Sequence, residues 1–468
     1  MVIKLYKILY YTILKIINFF VFNFLNFSKF FDLYFSSLKN FYIDLAYGYI
    51  EKNKIYKSKK LATYIIEKNL AELDTATFLA PIFENSGDSE LGKLLHKIQF
   101  YKKKINISLF NLSEHYAIYP EYFSKLGHFA VIEHLVKAIR LNLVKKRKIF
   151  IYGPFNKYNK SLLELYSKLP EIKIINQTID PKKLNIIKKN LGLSLDAMEY
   201  KNDILKLPNF LYLVNKQWEK TFKKKKILKF SKIDRIKKEK LLKNFGIDKK
   251  NNWYVVINVR ENFYSKFSSL RNANFESYNK AISFIISKGG HVIRLGDKPL
   301  KKIKNNNKFI DLSTTNLQTD LIPFLIANCK FSIMTGSGPS IYSSVFNTPK
   351  LMTNWVPLAE VDGSKIDHIL PKMLYRNGKI INFVNRLKNP YATNTDLSYY
   401  KQLNVKVIEN SEEDILNGVK EMYKIHVLNK KNRLSKNQKQ IHKIFEDSFL
   451  PPISMSSIVE KNYPDFLV

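Results

Sequence analysis

WYVVINVR, residues 253–260, is a nearly unbroken apolar run that ends in polar residues. A strand with one wet face alternates apolar and polar side chains. A run that is apolar on both parities belongs in a sheet covered on both faces, the setting of parallel strands in α/β folds. Reading towards the C-terminus, a polar loop leads to FESYNKAISFIISK (275–288), whose apolar spacing is helical and which stops at Gly289 and Gly290. Strand-like HVIRLGD (291–297) and KFIDLS (308–313) follow, then the helical LQTDLIPFLIANC (317–329). Strand-like KFSIMTG (330–336), the loop GSGPS (336–340), a helical SIYSSVF (340–346) and the strand-like KLMTNW (350–355) complete the series. Strand and helix alternate four times, which predicts a parallel sheet wound on both faces. Such sheets place ligands outside the carboxyl ends of their strands, where Arg260, Asp297, Gly336 and Thr353 fall.

The same alternation, less regular, precedes this half. Gly127 and His128 open a helical AVIEHLVKAIRL (130–141), followed by the strand KIFIYG (148–153), a helix from Asn159 and the apolar run IKII (172–175). Residues 200–250 read as a helical, lysine-rich connection. Beyond Trp355, SEEDILNGVKEMYKI reads as a helix capped by Ser411, and residues 432–447 as another. The expected organisation is an amphipathic helix over 1–40, a helical extension over 41–110 and an α/β domain over 111–245. A second α/β domain over 246–430 and a C-terminal helix and tail over 431–468 complete it.

Polar residues at Lys4, Lys7, Thr12, Lys15, Asn18, Asn23, Asn26 and Lys29 recur on one helical face among Leu, Ile and Phe. A spanning helix needs roughly 20 predominantly apolar residues. Lys15 interrupts the one stretch of that length, at a cost of about 2.5–3.5 kcal/mol at mid-bilayer. The segment therefore either lies on a membrane surface or packs on the protein's own core. No small-residue cleavage site follows it.

Composition bounds the rest. With 45% hydrophobic and 25% charged residues, the 468-residue chain is globular and long enough for two cores. Its 78 Lys and Arg against 40 Asp and Glu give a net charge of +38, which attracts polyanions of any class, although runs such as Lys223 to Lys226 are ordinarily solvated faces. The single cysteine, Cys329, lies in an apolar run, so it reads as a buried structural thiol and a reducing compartment is the simpler expectation.

The chemistry concentrates at the strand exits. The loop Gly336, Ser337, Gly338, Pro339 and Ser340 joins a strand to a helix start, where backbone N–H groups and two hydroxyls could receive a diphosphate. Arg260 offers a planar fork suited to phosphate oxygens, and Arg271, Arg294 and Lys298 also stand near strand ends. No Asp-x-Asp element or paired histidine spacing supports a metal site. The turn after WYVVINVR lacks Gly-x-Gly-x-x-Gly, which argues against a dinucleotide-dependent oxidoreductase. A non-catalytic, basic scaffold binding RNA or a membrane is the alternative class. Its aromatics, however, concentrate in the N-terminal helix and the strands rather than on a basic face.

INVRENFYSKFSSLRNANFESYNKAISFIISKGGHVIRLGDKP, with FIDLS, MTGSGPS and NTPKLMTNW, resembles a family of bacterial glycosyltransferases and, more distantly, fucosyltransferase-like GT-B enzymes. That family's pattern runs His-Val-Arg-Asp, Tyr-Arg-Asn-Ala-Asp, Arg-Met-Gly-Asp, a Thr-Ser-Ser-Gly loop and Thr-Asn-Trp. The match spans about residues 253–356, with a fainter one at LGHFA (126–130). The resemblance implies two Rossmann-type domains facing a cleft. It also implies metal-independent, inverting transfer of a hexosyl or deoxyhexosyl group from a nucleoside-diphosphate sugar to a glycan, lipid-linked or protein acceptor. No cofactor and no specific nucleic acid are implied, and the location would be cytoplasmic or peripheral on the inner membrane's cytoplasmic face, which offers an anionic surface. On this reading Arg260, Arg271, Gly336, Ser337, Gly338 and Ser340 hold the donor, and Arg294 and Asp297 flank its pocket. Glu261 is either the general base or a salt-bridge partner of Arg260, and His128 either a base facing the cleft or a packed, helix-capping histidine. Asn258 stands where the family often has His, and an Asn cannot act as a base.

Overall fold

A computed structural model of the chain describes residues 60–61, 115–123, 125–175, 198–201, 203–205, 207–223, 226–248, 252–261, 269–296, 303, 306–315, 317–388, 391–392, 394–395 and 397–467. Nearly all belong to the compact unit Lys104–Val468. The expected N-terminal amphipathic helix and the helical extension lie outside the described residues. Among the described residues no helix is long and apolar enough to cross a membrane.

The unit holds two parallel α/β halves, the fold class expected. In the first, β1 (Tyr116–Ile118), β2 (Ile149–Tyr152) and β3 (Ile172–Ile175) form a parallel sheet in that order. Helices α1 (Leu126–Arg140) and α2 (Lys160–Ser167) connect them. Helix α2 starts where Asn159 accepts from Leu162 N at 3.0 Å, an N-cap that satisfies an otherwise orphaned amide. Two further helices, α3 (Leu207–Phe222) and α4 (Lys232–Asn244), fill the lysine-rich connection, and α4 opens on a Ser231/Asp234 capping box.

The second half is a seven-stranded parallel sheet. Its elements in chain order are β4 (Tyr254–Asn258), α5 (Asn279–Ser287), β5 (His291–Leu295), β6 (Phe309–Asp311), α6 (Leu317–Asn328), β7 (Ser332–Met334), α7 (Ser340–Val345), β8 (Lys350–Trp355), β9 (His368–Pro371), α8 (Glu412–His426), α9 (Lys436–Asp447) and β10 (Ser454–Met455). The spatial order is β10-β9-β8-β7-β4-β5-β6. The apolar run 253–260 supplies β4, and its parities divide as a doubly covered strand requires. Tyr254 and Val256 join the core shared with the first half, under α6 and α7, while Val255 and Ile257 join the opposite core, under α5, α8 and α9. Ser411 caps α8 with a second capping box, through Asp414.

The halves share one apolar core, in which α1 and α2 pack with α6 and α7, and polar bonds join them at its edge. Lys238 of α4 donates to Asp320 O at 2.7 Å, and Asn209 of α3 donates to the carbonyls of Ser448 and Phe449 at 3.4 and 3.2 Å. The tightest contact is between two glycines. A Cβ at Gly127 would lie 3.0 Å from the Gly338 Cα, and one at Gly338 would lie 2.9 Å from the Gly127 N. Tyr342 of α7 reinforces this contact by donating to Leu126 O at 2.8 Å. A methyl group at 338 meets backbone, which cannot rotate away. Gly338→Ala should therefore destabilise the protein by about 1–3 kcal/mol. Urea unfolding would check this, and an unchanged midpoint would show that the halves do not meet here.

Candidate active site at the sheet switch point

The strand order reverses between β4 and β7. From β4 the chain steps outward through β5 and β6, then returns to the other side of β4 for β7 and continues through β8 and β9. Connections leave the two strands in opposite directions, so a crevice opens beyond their carboxyl ends. The residues there clip the two strand exits together. Asn258 O accepts from Thr335 N at 3.1 Å, and Arg260 N donates to Thr335 Oγ1 at 2.9 Å. The Asn258 amide donates to Ser337 Oγ at 2.8 Å, and Ser337 Oγ donates to Thr335 O at 3.1 Å. Asn258 thus serves as a clamp, a task for an amide donor where a base has no part.

Two details of the loop differ from the sequence reading. Ser340 is buried, and both its N and its Oγ donate to Ser337 O, at 3.1 and 2.7 Å. Its hydroxyl closes the turn instead of facing a ligand. The helix that follows has six residues, fewer than two turns, so its aligned peptide dipoles are few. Positive charge in the crevice comes from side chains instead.

Arg271 supplies the first of these. Its aliphatic stem lies over Gly336, where a Cβ would come within 3.2 Å of the arginine Cδ. The Arg271 Nε is buried and has no hydrogen-bond partner. Arg260, half-buried at the exit of β4, donates through Nε to Asn272 Oδ1 at 3.1 Å. Asn272 is fixed in turn, because its carbonyl accepts from Lys372 Nζ at 2.6 Å and Lys372 pairs with Glu409 at 3.0 Å. Burial pulls the Lys372 ammonium below its ordinary pKa, with Glu409 opposing that shift. Ala273 N donates to Arg260 O at 2.8 Å, which holds the 271–273 segment against the strand exit.

Arg294, expected to flank a donor pocket, lies in a buried ion cluster. Strand register sets it opposite Asp311 on β6, and it is 1% exposed. Its Nη1 donates to Asp311 Oδ2 at 3.0 Å and its Nη2 to Glu261 Oε2 at 2.6 Å, while the guanidinium stacks 4.3 Å over the Phe275 ring. Asp311 accepts further bonds from Ile303 N, Ser313 N and Ser313 Oγ. The salt bridge of Glu261 is therefore made with Arg294 and not with Arg260, because the β5 side chain reaches across the end of β4. Asp297 lies outside the described residues.

His128 stands in the first turn of α1, half-buried, one residue beyond the glycine that touches Gly338. The sequence reading missed Asn272, Thr335 and Lys372. Asn272 and Thr335 lie inside the quoted motifs and could have been singled out as strand-exit polar residues. Lys372 follows a proline with no local signal. Among the described residues no group of three or more His, Cys, Asp or Glu could hold a metal ion.

No family model matches the chain, and no curated protein sequence does either. Among solved structures, a glycosyl transferase family 9 protein from Veillonella parvula is similar over 66% of this chain and 96% of its own, at 10% identity and a TM-score of 0.41. The E. coli ADP-heptose LPS heptosyltransferase II is similar over 66% of this chain and 98% of its own, at 11% identity and a TM-score of 0.36. E. coli heptosyltransferase WaaC with ADP-2-deoxy-2-fluoro heptose is similar over 55% of this chain and 92% of its own, at 11% identity and a TM-score of 0.34.

Removing one member of a buried, multiply bonded ion cluster leaves its partners charged and unpaired. Arg294→Met should cost about 3–5 kcal/mol of folding stability. Denaturant unfolding would check this, and a loss below ~1 kcal/mol would show that Asp311 and Glu261 do not depend on the guanidinium.

Proposed function

We propose that the chain is a GT-B glycosyltransferase that moves a sugar from a nucleoside-diphosphate sugar to an acceptor hydroxyl in bacterial surface-glycan assembly. The observation that carries this reading is Arg271 at the switch-point crevice. Its aliphatic stem lies over Gly336, its Nε is buried and without a hydrogen-bond partner, and Arg260 stands at the neighbouring strand exit. A buried donor without a partner is costly, and an anionic ligand oxygen would supply the missing acceptor.

In the reaction the acceptor oxygen forms a bond to the anomeric carbon while the bond from that carbon to the diphosphate oxygen breaks. The electron pair stays on the diphosphate. Arg271 and Arg260 would offset that charge as it develops, a service that needs no divalent cation. A single displacement of this kind inverts the anomeric centre. The acceptor hydroxyl must also lose its proton. Glu261 is poorly placed to take it, because its carboxylate is already bonded at 2.6 Å to Arg294. We assign that role to His128, which follows Gly127, the residue that touches Gly338 of the crevice loop. The resemblance to a hexosyl- or deoxyhexosyl-transferring family informs the proposed sugar class.

A thermal-shift screen of the purified protein against UDP, GDP, CMP, ADP and dTDP tests the donor site. One nucleotide at about 100 times its Kd should stabilise the native state by about 2.7 kcal/mol. That shift should vanish in Arg271→Ala. Absence of any shift in the unsubstituted protein would sink the proposal. Once the donor is known, His128→Gln should keep the nucleotide shift and lower kcat by about 10²–10⁴. Undiminished turnover would remove His128 as the base.

A further inference from the structure

We propose that the outward face of α4 docks the protein on an anionic lipid bilayer. Two opposite stripes run along this helix. One packs inward: Asp234 pairs with Lys168 at 3.1 Å, Lys238 donates to Ser161 Oγ at 3.3 Å and to Asp320 O, and Leu242 is buried. The other stripe carries Ile233 and Ile236, which are 66% and 58% exposed and are the two most exposed large hydrophobics among the described residues. They sit one turn apart, among the exposed cations Lys232, Arg235, Lys237, Lys240 and Lys243. The helix has no exposed carboxylate, since Asp234 and Glu239 are both half-buried.

The combination decides the partner. Clustered lysines attract any polyanion, but exposed isoleucines gain nothing from a phosphate backbone and gain by entering the headgroup and acyl boundary of a bilayer. Single-stranded nucleic acid is held by aromatic platforms, and α4 has no aromatic residue. The inference does not depend on the donor site.

Cys329 is buried and its thiol is pushed up to about 12 by that burial, so an introduced surface cysteine can be labelled selectively. The full chain would carry an environment-sensitive nitrobenzoxadiazole dye at Ile236→Cys, or at Val384→Cys, an exposed position far along the chain, as the comparison. Vesicles would be phosphatidylcholine with about 30% phosphatidylglycerol, or phosphatidylcholine alone, at about 0.1 M salt. The dye at 236 should brighten at least about twofold and shift to the blue with the anionic vesicles only, and the effect should disappear near 1 M salt. The dye at 384 should stay silent. Lys240→Glu with Lys243→Glu should lower vesicle partition at least about tenfold while leaving the thermal midpoint in place. Cosedimentation with a silent dye at 236 would overturn the proposal, because another surface, such as residues 1–40, would then carry the binding. A dye response to RNA but not to vesicles would overturn it equally.

Discussion

Strand β4 hydrogen-bonds to a neighbour on each side, and the chain reaches those neighbours by connections that depart in opposite directions. In α/β folds such a reversal opens a crevice at the carboxyl edge of the sheet. The opening must still be kept from splaying. Asn258, Thr335 and Ser337 do this with short side chains bonded across it, so the longer arginines at its rim are carried at fixed positions. The first half contributes α1, whose start is held against the Gly336–Ser340 loop by the Tyr342 hydroxyl.

Two arginines within this edge show how differently the same side chain can be treated. Arg294 is withdrawn from water and compensated by two carboxylates and an aromatic face, so its charge is already spent on holding β5, β6 and the β4 exit together. Arg271 has its stem packed and one donor nitrogen left without an acceptor. Desolvating a donor without a partner is unfavourable, and a ligand oxygen is one group that can complete the bond.

Much of the fold was legible because a parallel strand covered on both faces writes its burial directly into the sequence. WYVVINVR, HVIRL and KLMTNW mark three of the seven strands, α5 stops just before Gly289, and Ser411 opens α8. The identity of strand-exit residues was legible for the same reason. Their side-chain partners were not. Glu261 adjoins Arg260 in sequence, yet pairing depends on the register between β4, β5 and β6, which sets Arg294 between Glu261 and Asp311. Ser340 has the chemistry of a ligand-facing hydroxyl, but a three-residue turn places the Ser337 carbonyl 2.7 Å from it. Lys372, which braces Asn272 from 100 residues away, left no trace in the local pattern.

The Gly127–Gly338 contact constrains how this protein can vary. Where two side chains collide, a larger residue at one position can be accommodated by a smaller one at its partner, and sequences drift through such exchanges. Here each partner is already the smallest residue available. Neither glycine can compensate for change at the other, so the route from one residue pair to a different one passes only through backbone rearrangement. The seam between the halves is thus a point of evolutionary lock, fixed by the lack of anything left to remove.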